Sequence, residues 1–149
     1  MKALISSMIV VGAALAAHQP AVAPEVSGIR YTVTFNSETA QRTVLLVEMT
    51  FEDESQGPVV LSMPAWTPGS YTMRNFARFV REFEATAGGA SIRWDKADHD
   101  SRRVFPSSGD IVTVAFEFQA YEMAVGMTRS AEDIAIYNGT TANLYPEGP

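Results

Sequence analysis

The sequence contains no cysteine among its 149 residues. Disulfides, thiol nucleophiles, iron–sulfur clusters and cysteine-ligated zinc are therefore excluded. Histidine is scarce, with two residues, and no H-E-x-x-H segment occurs, so the zinc-peptidase ligand pattern is missing from this chain. Basic residues number 11 against 17 acidic ones, which gives a net charge of −6 and disfavours nucleic acid as a partner.

Long hydrophobic runs are also missing, apart from one at the N-terminus. It covers residues 3–17, and its 15 residues fall short of the roughly 20 that a transmembrane helix needs. The small-x-small patterns at 14–16 and 21–23 are typical of signal-peptide cleavage sites. We interpret residues 1–23 as a secretory signal peptide and leader, and residues 24–149 as one secreted or periplasmic domain with no stable membrane span. An uncleaved membrane anchor is the alternative.

The rest of the chain alternates apolar and polar residues with a period of two, which predicts β-strands. Residues 29–35 and 44–52 are two such runs on either side of a polar turn at 36–39, so we expect an antiparallel hairpin. Residues 96–103 are charged and are expected to form a loop. Further strands are expected from 59, from about 78 to 86 after a helical or irregular turn at 74–77, at 92–95, at 111–120 and at 134–136. The pattern predicts an all-β fold, an antiparallel β-sandwich of about seven to eight strands.

Two groups of titratable residues are catalytic candidates by residue type. His99 lies between Asp98 and Asp100 in a polar stretch with no nucleophile-elbow sequence, which favours a solvated loop histidine. The acidic run 52–54 has the residue types for acid–base work, but a solvated turn is favoured there. No ligand spacing supports a calcium site in the acidic loops. We therefore assign no catalytic residue and no metal ligand.

The most unusual segment is MPAWTPGSY at residues 63–71. Pro68 and Gly69 suit the two central positions of a type II turn, and the aromatic residues Trp66 and Tyr71 flank them. We favour a rigid corner whose rings join the core. An exposed aromatic platform for a sugar or a peptide is the alternative.

This segment, continued by RNFAR at 74–78, resembles the signature of the N-terminal domain of the glycyl aminopeptidase family, in which P-x-W-x-P-G-x-Y is followed by an arginine. Two shorter segments, IRWDK at 92–96 and YNGT at 137–140, are similar to the family's tryptophan-then-lysine segment and to its Asn-Gly turn. The resemblance runs from about residue 29 to the C-terminus. The residues of the resulting structural motif are Trp66, Pro68, Gly69, Ser70, Tyr71 and Arg74.

The glycyl aminopeptidases are secreted or periplasmic zinc metallopeptidases of the gluzincin type. The resemblance implies a parent protein with a β-sandwich N-terminal domain, a helical catalytic domain with H-E-x-x-H, and a PDZ-like domain. Only the first of these is present in this sequence, so we expect a truncated chain or gene fragment that is not catalytic and has no cofactor. The zinc would belong to the missing catalytic domain, which is the expected partner, and the chain would meet a peptide substrate only indirectly.

Tyr137, Asn138 and Gly139 are the candidate residues of the substrate cleft, because they lie nearest in sequence to the missing domain. An ordinary turn is the alternative. Two other functions stay open. One is a free-standing carbohydrate- or peptide-binding sandwich with Trp66, Tyr71 and Trp94 as its platform residues. The other is a structural domain that docks on a separate catalytic chain through an exposed apolar face.

Overall fold

The computed structural model describes residues 26–55, 57–67, 72–121 and 128–147, and the expected signal peptide and leader at 1–23 lie outside them. The strands are β1 (Val26–Thr34), β2 (Val44–Asp53), β3 (Val59–Ser62), β4 (Val80–Ala87), β5 (Ala90–Ser91), β6 (Trp94–Lys96), β7 (Ser101–Val104), β8 (Ile111–Gln119), β9 (Arg129–Ala131), β10 (Ile134–Ile136) and β11 (Tyr145–Pro146). The helices are α1 (Ser37–Arg42), α2 (Gly139–Ala142) and a 3₁₀ helix (Phe76–Phe79). No helix in this part of the chain has the length and apolar content to span a bilayer.

The strands form antiparallel sheets, which confirms the all-β prediction. A five-stranded sheet has the order β1-β2-β8-β4-β5, a four-stranded sheet has the order β11-β3-β7-β6, and β10 and β9 form a hairpin. One hydrophobic core contains residues from both larger sheets, so the two sheets pack face to face as a sandwich. The described residues contain eleven strand segments rather than seven or eight, because five of them are only two or three residues long.

The centre of the five-stranded sheet follows the predicted alternation. Strands β2 and β8 pair without interruption from Val44 opposite Gln119 to Glu52 opposite Ile111. The side chains predicted to share a face are buried between the sheets: Leu45, Val47, Met49 and Phe51 from β2, and Val112, Val114, Phe116 and Phe118 from β8. These two strands supply much of the apolar area that stabilises the domain.

Strand β1 is more exposed than its alternation predicts. It pairs with β2 as expected, but it is the edge of the sheet, and a register shift lies between Ser27 and Arg30. Tyr31 and Val33 are half-buried against the core, whereas Ile29 is exposed. An edge strand has a neighbour on one side only, so its apolar face is less completely covered than that of a central strand.

The turn predicted at 36–39 is instead the start of a helix. Asn36 is the N-cap of α1, and its Oδ1 accepts hydrogen bonds of 3.0 Å from the backbone N of Glu38 and of Thr39. The Thr39 hydroxyl accepts in return from the backbone N of Asn36 at 2.9 Å, which completes a capping box. The polar run therefore satisfies the free amides of a six-residue helix inside the predicted hairpin connection.

Two other departures concern the four-stranded sheet and its neighbour β4. The charged stretch predicted as a loop contains β7, which pairs with both β3 and β6.

In β4 a register shift between Arg81 and Glu84 is accompanied by a positive φ of 47° at Glu82. This β-bulge turns Phe83 inward, whereas a regular strand would place it on the same face as Arg81. The helical turn expected before β4 is present as the 3₁₀ helix, and a turn at Gly88 and Gly89 joins β4 to β5.

Candidate functional site

The predicted cleft residues form the start of α2. Asn138 is its N-cap, and the Asn138 Oδ1 accepts hydrogen bonds from the Thr140 backbone N at 3.0 Å and from the Thr140 hydroxyl at 2.7 Å. The backbone N of Asn138 donates to the hydroxyl of Thr128 at 3.3 Å, and the Thr141 hydroxyl donates to the Asn138 carbonyl at 3.0 Å. The Asn-Gly turn is thus a helix cap anchored to the segment before β9.

Three tyrosines surround this cap and hold the end of the described chain. The Tyr31 hydroxyl donates to the carbonyl of Leu144 at 2.5 Å, and the Tyr145 hydroxyl donates to the carbonyl of Gly139 at 2.7 Å. The Tyr137 hydroxyl donates to Oδ1 of Asn143. The rings of Tyr31 and Tyr145 lie 6.3 Å apart in a tilted arrangement. We call these three residues the tyrosine cluster.

The phenols of the tyrosine cluster stay protonated at neutral pH. Burial, helped by the neighbouring Tyr145 and Tyr137, raises the pKa of Tyr31 to about 12. Burial also raises the pKa values of Tyr137 and Tyr145. Because each hydroxyl already donates to an acceptor within the domain, the cluster suits shaping and binding better than proton transfer.

The aromatic corner is only partly within the described residues. Pro68, Gly69, Ser70 and Tyr71, four residues of the predicted structural motif, lie outside them. Trp66 is 47% exposed, so the prediction that its ring joins the core is wrong. The backbone N of Arg74 donates to the carbonyl of Ala65 at 2.8 Å and closes the segment.

The two groups that the sequence analysis set aside as catalytic candidates differ in exposure: His99 is exposed, whereas Asp53 is buried. His99 lies on an exposed bend, as predicted. The neighbouring Asp98 accepts from the backbone N of Asp100 at 2.8 Å and of Ser101 at 2.9 Å, and these bonds lower the pKa of Asp98. Asp53, expected in a solvated turn, is only 1% exposed; its Oδ1 accepts from the Ser55 backbone N, while Oδ2 has no partner.

Within residues 26–55, 57–67, 72–121 and 128–147, no group of three histidine, cysteine, aspartate or glutamate side chains is placed to hold a metal ion. The residues therefore do not fit a zinc site in this part of the chain, and no zinc-dependent step is assigned to them.

Sequence reasoning overlooked one buried cation. Arg102 is 4% exposed, and its Nε and Nη1 are enclosed without a hydrogen-bond partner. One sequence signal could have identified it: Arg102 precedes Val104 by two residues, so in a strand the two side chains share a face. The stretch 96–103 was interpreted as a loop instead.

Comparisons with known proteins agree with the fold. The sequence profile of the peptidase M61 N-terminal domain family matches residues 30–149. The structure is similar to the crystal structure of an aminopeptidase N family protein from Idiomarina loihiensis, with a TM-score of 0.70 and 23% sequence identity. That match covers 81% of this chain and 20% of the solved chain, so the chain spans about a fifth of the length of that protein. No curated protein matches the chain.

Proposed function

We propose, because the chain belongs to the peptidase M61 N-terminal domain family, that it is the non-catalytic N-terminal domain of a secreted or periplasmic zinc metallopeptidase similar to the glycyl aminopeptidases. The observation that carries this proposal is the family match over residues 30–149, which includes both sheets of the sandwich. The sequence has no H-E-x-x-H, so the peptidase chemistry and its zinc would belong to a catalytic domain elsewhere in the parent protein. That domain is the proposed partner.

The docking surface that we propose for the catalytic domain is the outer face of the β9–β10 hairpin. Ser130 and Ala135 lie opposite each other in register; Ser130 is buried, and Ala135 packs against the core. Strand alternation then places Ile134 and Ile136 on the other face, where they are 54% and 36% exposed. Exposed apolar side chains side by side are typical of surfaces that dock on another domain.

The hairpin leads directly into the proposed wall of the substrate cleft. Tyr137, at 38% exposure, directly follows the last residue of β10. The cap at Asn138 and the tyrosine cluster fix the direction of the chain here. In our proposal Tyr137, Asn138 and Gly139 wall the cleft and meet the peptide substrate, while the isoleucines contact the catalytic domain.

The coding sequence beyond codon 149 gives the first test. We expect an H-E-x-x-H segment there, in frame or after a frameshift, and a continuation without one would contradict the proposed parentage.

The second test uses the polypeptide that carries both domains. The double change Ile134→Asp and Ile136→Asp should lower hydrolysis of glycyl- and alanyl-p-nitroanilide, because it puts charge into an apolar contact. Ile111→Asp, at an isoleucine that is 59% exposed on the first residue of β8, is the control and should leave the activity unchanged.

The exposure of Trp66 and Trp94 favours a second candidate, a carbohydrate- or peptide-binding sandwich. The ring of Trp94 packs edge to face on Phe83 at 4.7 Å, so its orientation is fixed. This candidate predicts that sugars or peptides quench tryptophan emission saturably in the purified chain, and that Trp66→Ala and Trp94→Ala each weaken that binding. Lack of saturable quenching would leave the peptidase-domain function in place and contradict the binding module.

A further inference from the structure

Arg102 is a buried guanidinium in the space between the two sheets. It lies on β7 opposite Leu61 of β3, and both Leu61 and Val104, two residues further along β7, are fully buried in the core. Since alternate residues of a strand share a face, the Arg102 side chain rises from the inner face of the four-stranded sheet. The residue exposes only 4% of its surface.

No acceptor within the described residues neutralises this cation. Its Nε and Nη1 are enclosed without a hydrogen bond, and its guanidinium carbon lies 5.2 Å from the centre of the Phe83 ring. Burial without a counter-charge lowers the pKa of Arg102. A desolvated charge is costly unless it is paired, so the site is incomplete as it stands.

The next residue provides a comparison. Arg103 alternates to the outer face and forms a paired bond with Asp95, from Nε to Oδ1 at 2.7 Å and from Nη2 to Oδ2 at 3.1 Å. Asp95 is the carboxylate of the adjacent strand β6, and Arg93 also approaches it at 3.5 Å. The Asp95 carboxylate therefore pairs with arginines on the outer face and does not pair with Arg102.

Two ring contacts connect Arg102 with a partly exposed side chain. Phe83 stacks edge to face on Trp94, and Trp94 is 39% exposed. The β-bulge in β4 is what turns Phe83 toward these two residues. Arg102, Phe83 and Trp94 thus form a row from the interior to solvent.

We propose that Arg102 anchors a binding site for a single carboxylate group, which enters beside Trp94. The planar guanidinium fork matches a carboxylate, and one negative charge neutralises the buried cation. A phosphate would bring an excess negative charge against the face of the Phe83 ring, which is itself electronegative. The same carboxylate chemistry is presented by the C-terminus of a free peptide and by an acidic side chain of another protein domain. The site is independent of the proposed peptidase context.

The test is a titration of the purified chain at constant ionic strength with four probes. N-acetylglycine stands for a peptide terminus, N-acetyl-aspartyl-methylamide for an acidic side chain, N-acetylglycinamide has no carboxylate, and inorganic phosphate is the other anion. The readouts are the Nε–H resonance of Arg102 and the emission of Trp94, the latter in a Trp66→Phe background. Arg102→Gln and Arg103→Gln, which remove the same charge from the inner and outer faces, are the matched variants.

We expect at least one carboxylate to shift both signals saturably, and the glycinamide and phosphate not to. Arg102→Gln should weaken that binding at least about tenfold, because it removes the charged donor, while Arg103→Gln binds like the parent. Whichever of the two carboxylate probes binds with the lower Kd shows whether the site prefers a peptide C-terminus or an acidic side chain. The proposal is overturned if N-acetylglycine and N-acetylglycinamide change the two signals equally in the chain that retains both arginines. This comparison does not depend on whether an arginine variant folds. Tighter binding of phosphate, or equal binding by both arginine variants, would also overturn it.

Discussion

The alkaline stability of the domain depends on Tyr31, which joins the edge strand β1 to the end of the described chain. Its hydroxyl donates to the carbonyl of Leu144, a residue with no exposed surface, 113 positions away in sequence. The native pKa of about 12 lies above the ordinary tyrosine pKa of about 10, so the native state keeps its proton at pH values where the unfolded chain loses it. The stabilisation is therefore complete below pH 10 and is lost as the pH rises toward 12.

The size of this effect follows from the pKa difference. At about 1.36 kcal/mol for each pKa unit, the upper bound across the whole window is about 2.7 kcal/mol. Tyr31 is only half-buried, and solvent screening reduces the effect to about 1–2 kcal/mol. Tyr31→Phe also removes the hydrogen bond to Leu144, which should cost about 1–2 kcal/mol at pH 8 because a buried carbonyl is left unpaired.

Urea unfolding at pH 8 and pH 11 measures both effects. At pH 8 we expect the unsubstituted chain to have a larger free energy of unfolding than the Tyr31→Phe variant. At pH 11 the difference between the two free energies should be smaller by about 1 kcal/mol. Tyr121→Phe is the control, since Tyr121 is exposed and lies outside the tyrosine cluster. A gap that stays constant between the two pH values would refute the argument that the native state raises the pKa of Tyr31.

Three further predictions concern packing, capping and charge. Trp66→Ala should cost less than about 2 kcal/mol because the ring is 47% exposed, whereas Phe51→Ala, at a fully buried ring, should cost about 3–5 kcal/mol; equal denaturant midpoints would contradict the placement of Trp66. Asn36→Ala should cost about 1 kcal/mol in the same assay through loss of the cap of α1, and an unchanged midpoint would show that the cap is dispensable. The hydrogen bond from Arg103 lowers the pKa of Asp95, so its stabilisation is present above the unfolded-state pKa and disappears as the pH falls through the native one; Asp95→Asn should flatten the acid limb of the stability curve, and an unaltered limb would argue against the pair.

The parts of the fold that the sequence predicts are those governed by strong alternation. Strands β2 and β8 lie at the centre of the five-stranded sheet, and their alternating apolar side chains are buried in the core shared with the four-stranded sheet. Strand β7 was missed because Arg102 and Arg103 made its four residues resemble a loop, although Arg102 is in phase with Val104. Asp53 was misjudged for a related reason, since it is in phase with Phe51 and therefore faces inward.

The candidate site was predictable only in part. The cap at Asn138 is a local feature, which the polar residues that follow it in sequence make recognisable. The bond from Tyr31 to Leu144 depends on how distant segments pack, and no local pattern specifies it. The exposure of Trp66 was likewise beyond the reach of composition, because a turn flanked by large rings can face either the core or the solvent.

The central claim, that this domain supports a peptidase without performing its chemistry, is tested most directly by assaying the homogeneous chain for zinc content and for hydrolysis of glycyl- and alanyl-p-nitroanilide. The account predicts no stoichiometric zinc and no turnover, with or without added Zn²⁺. One tightly held zinc ion per chain, or amide hydrolysis that persists through chelator treatment and repeated purification, would contradict it.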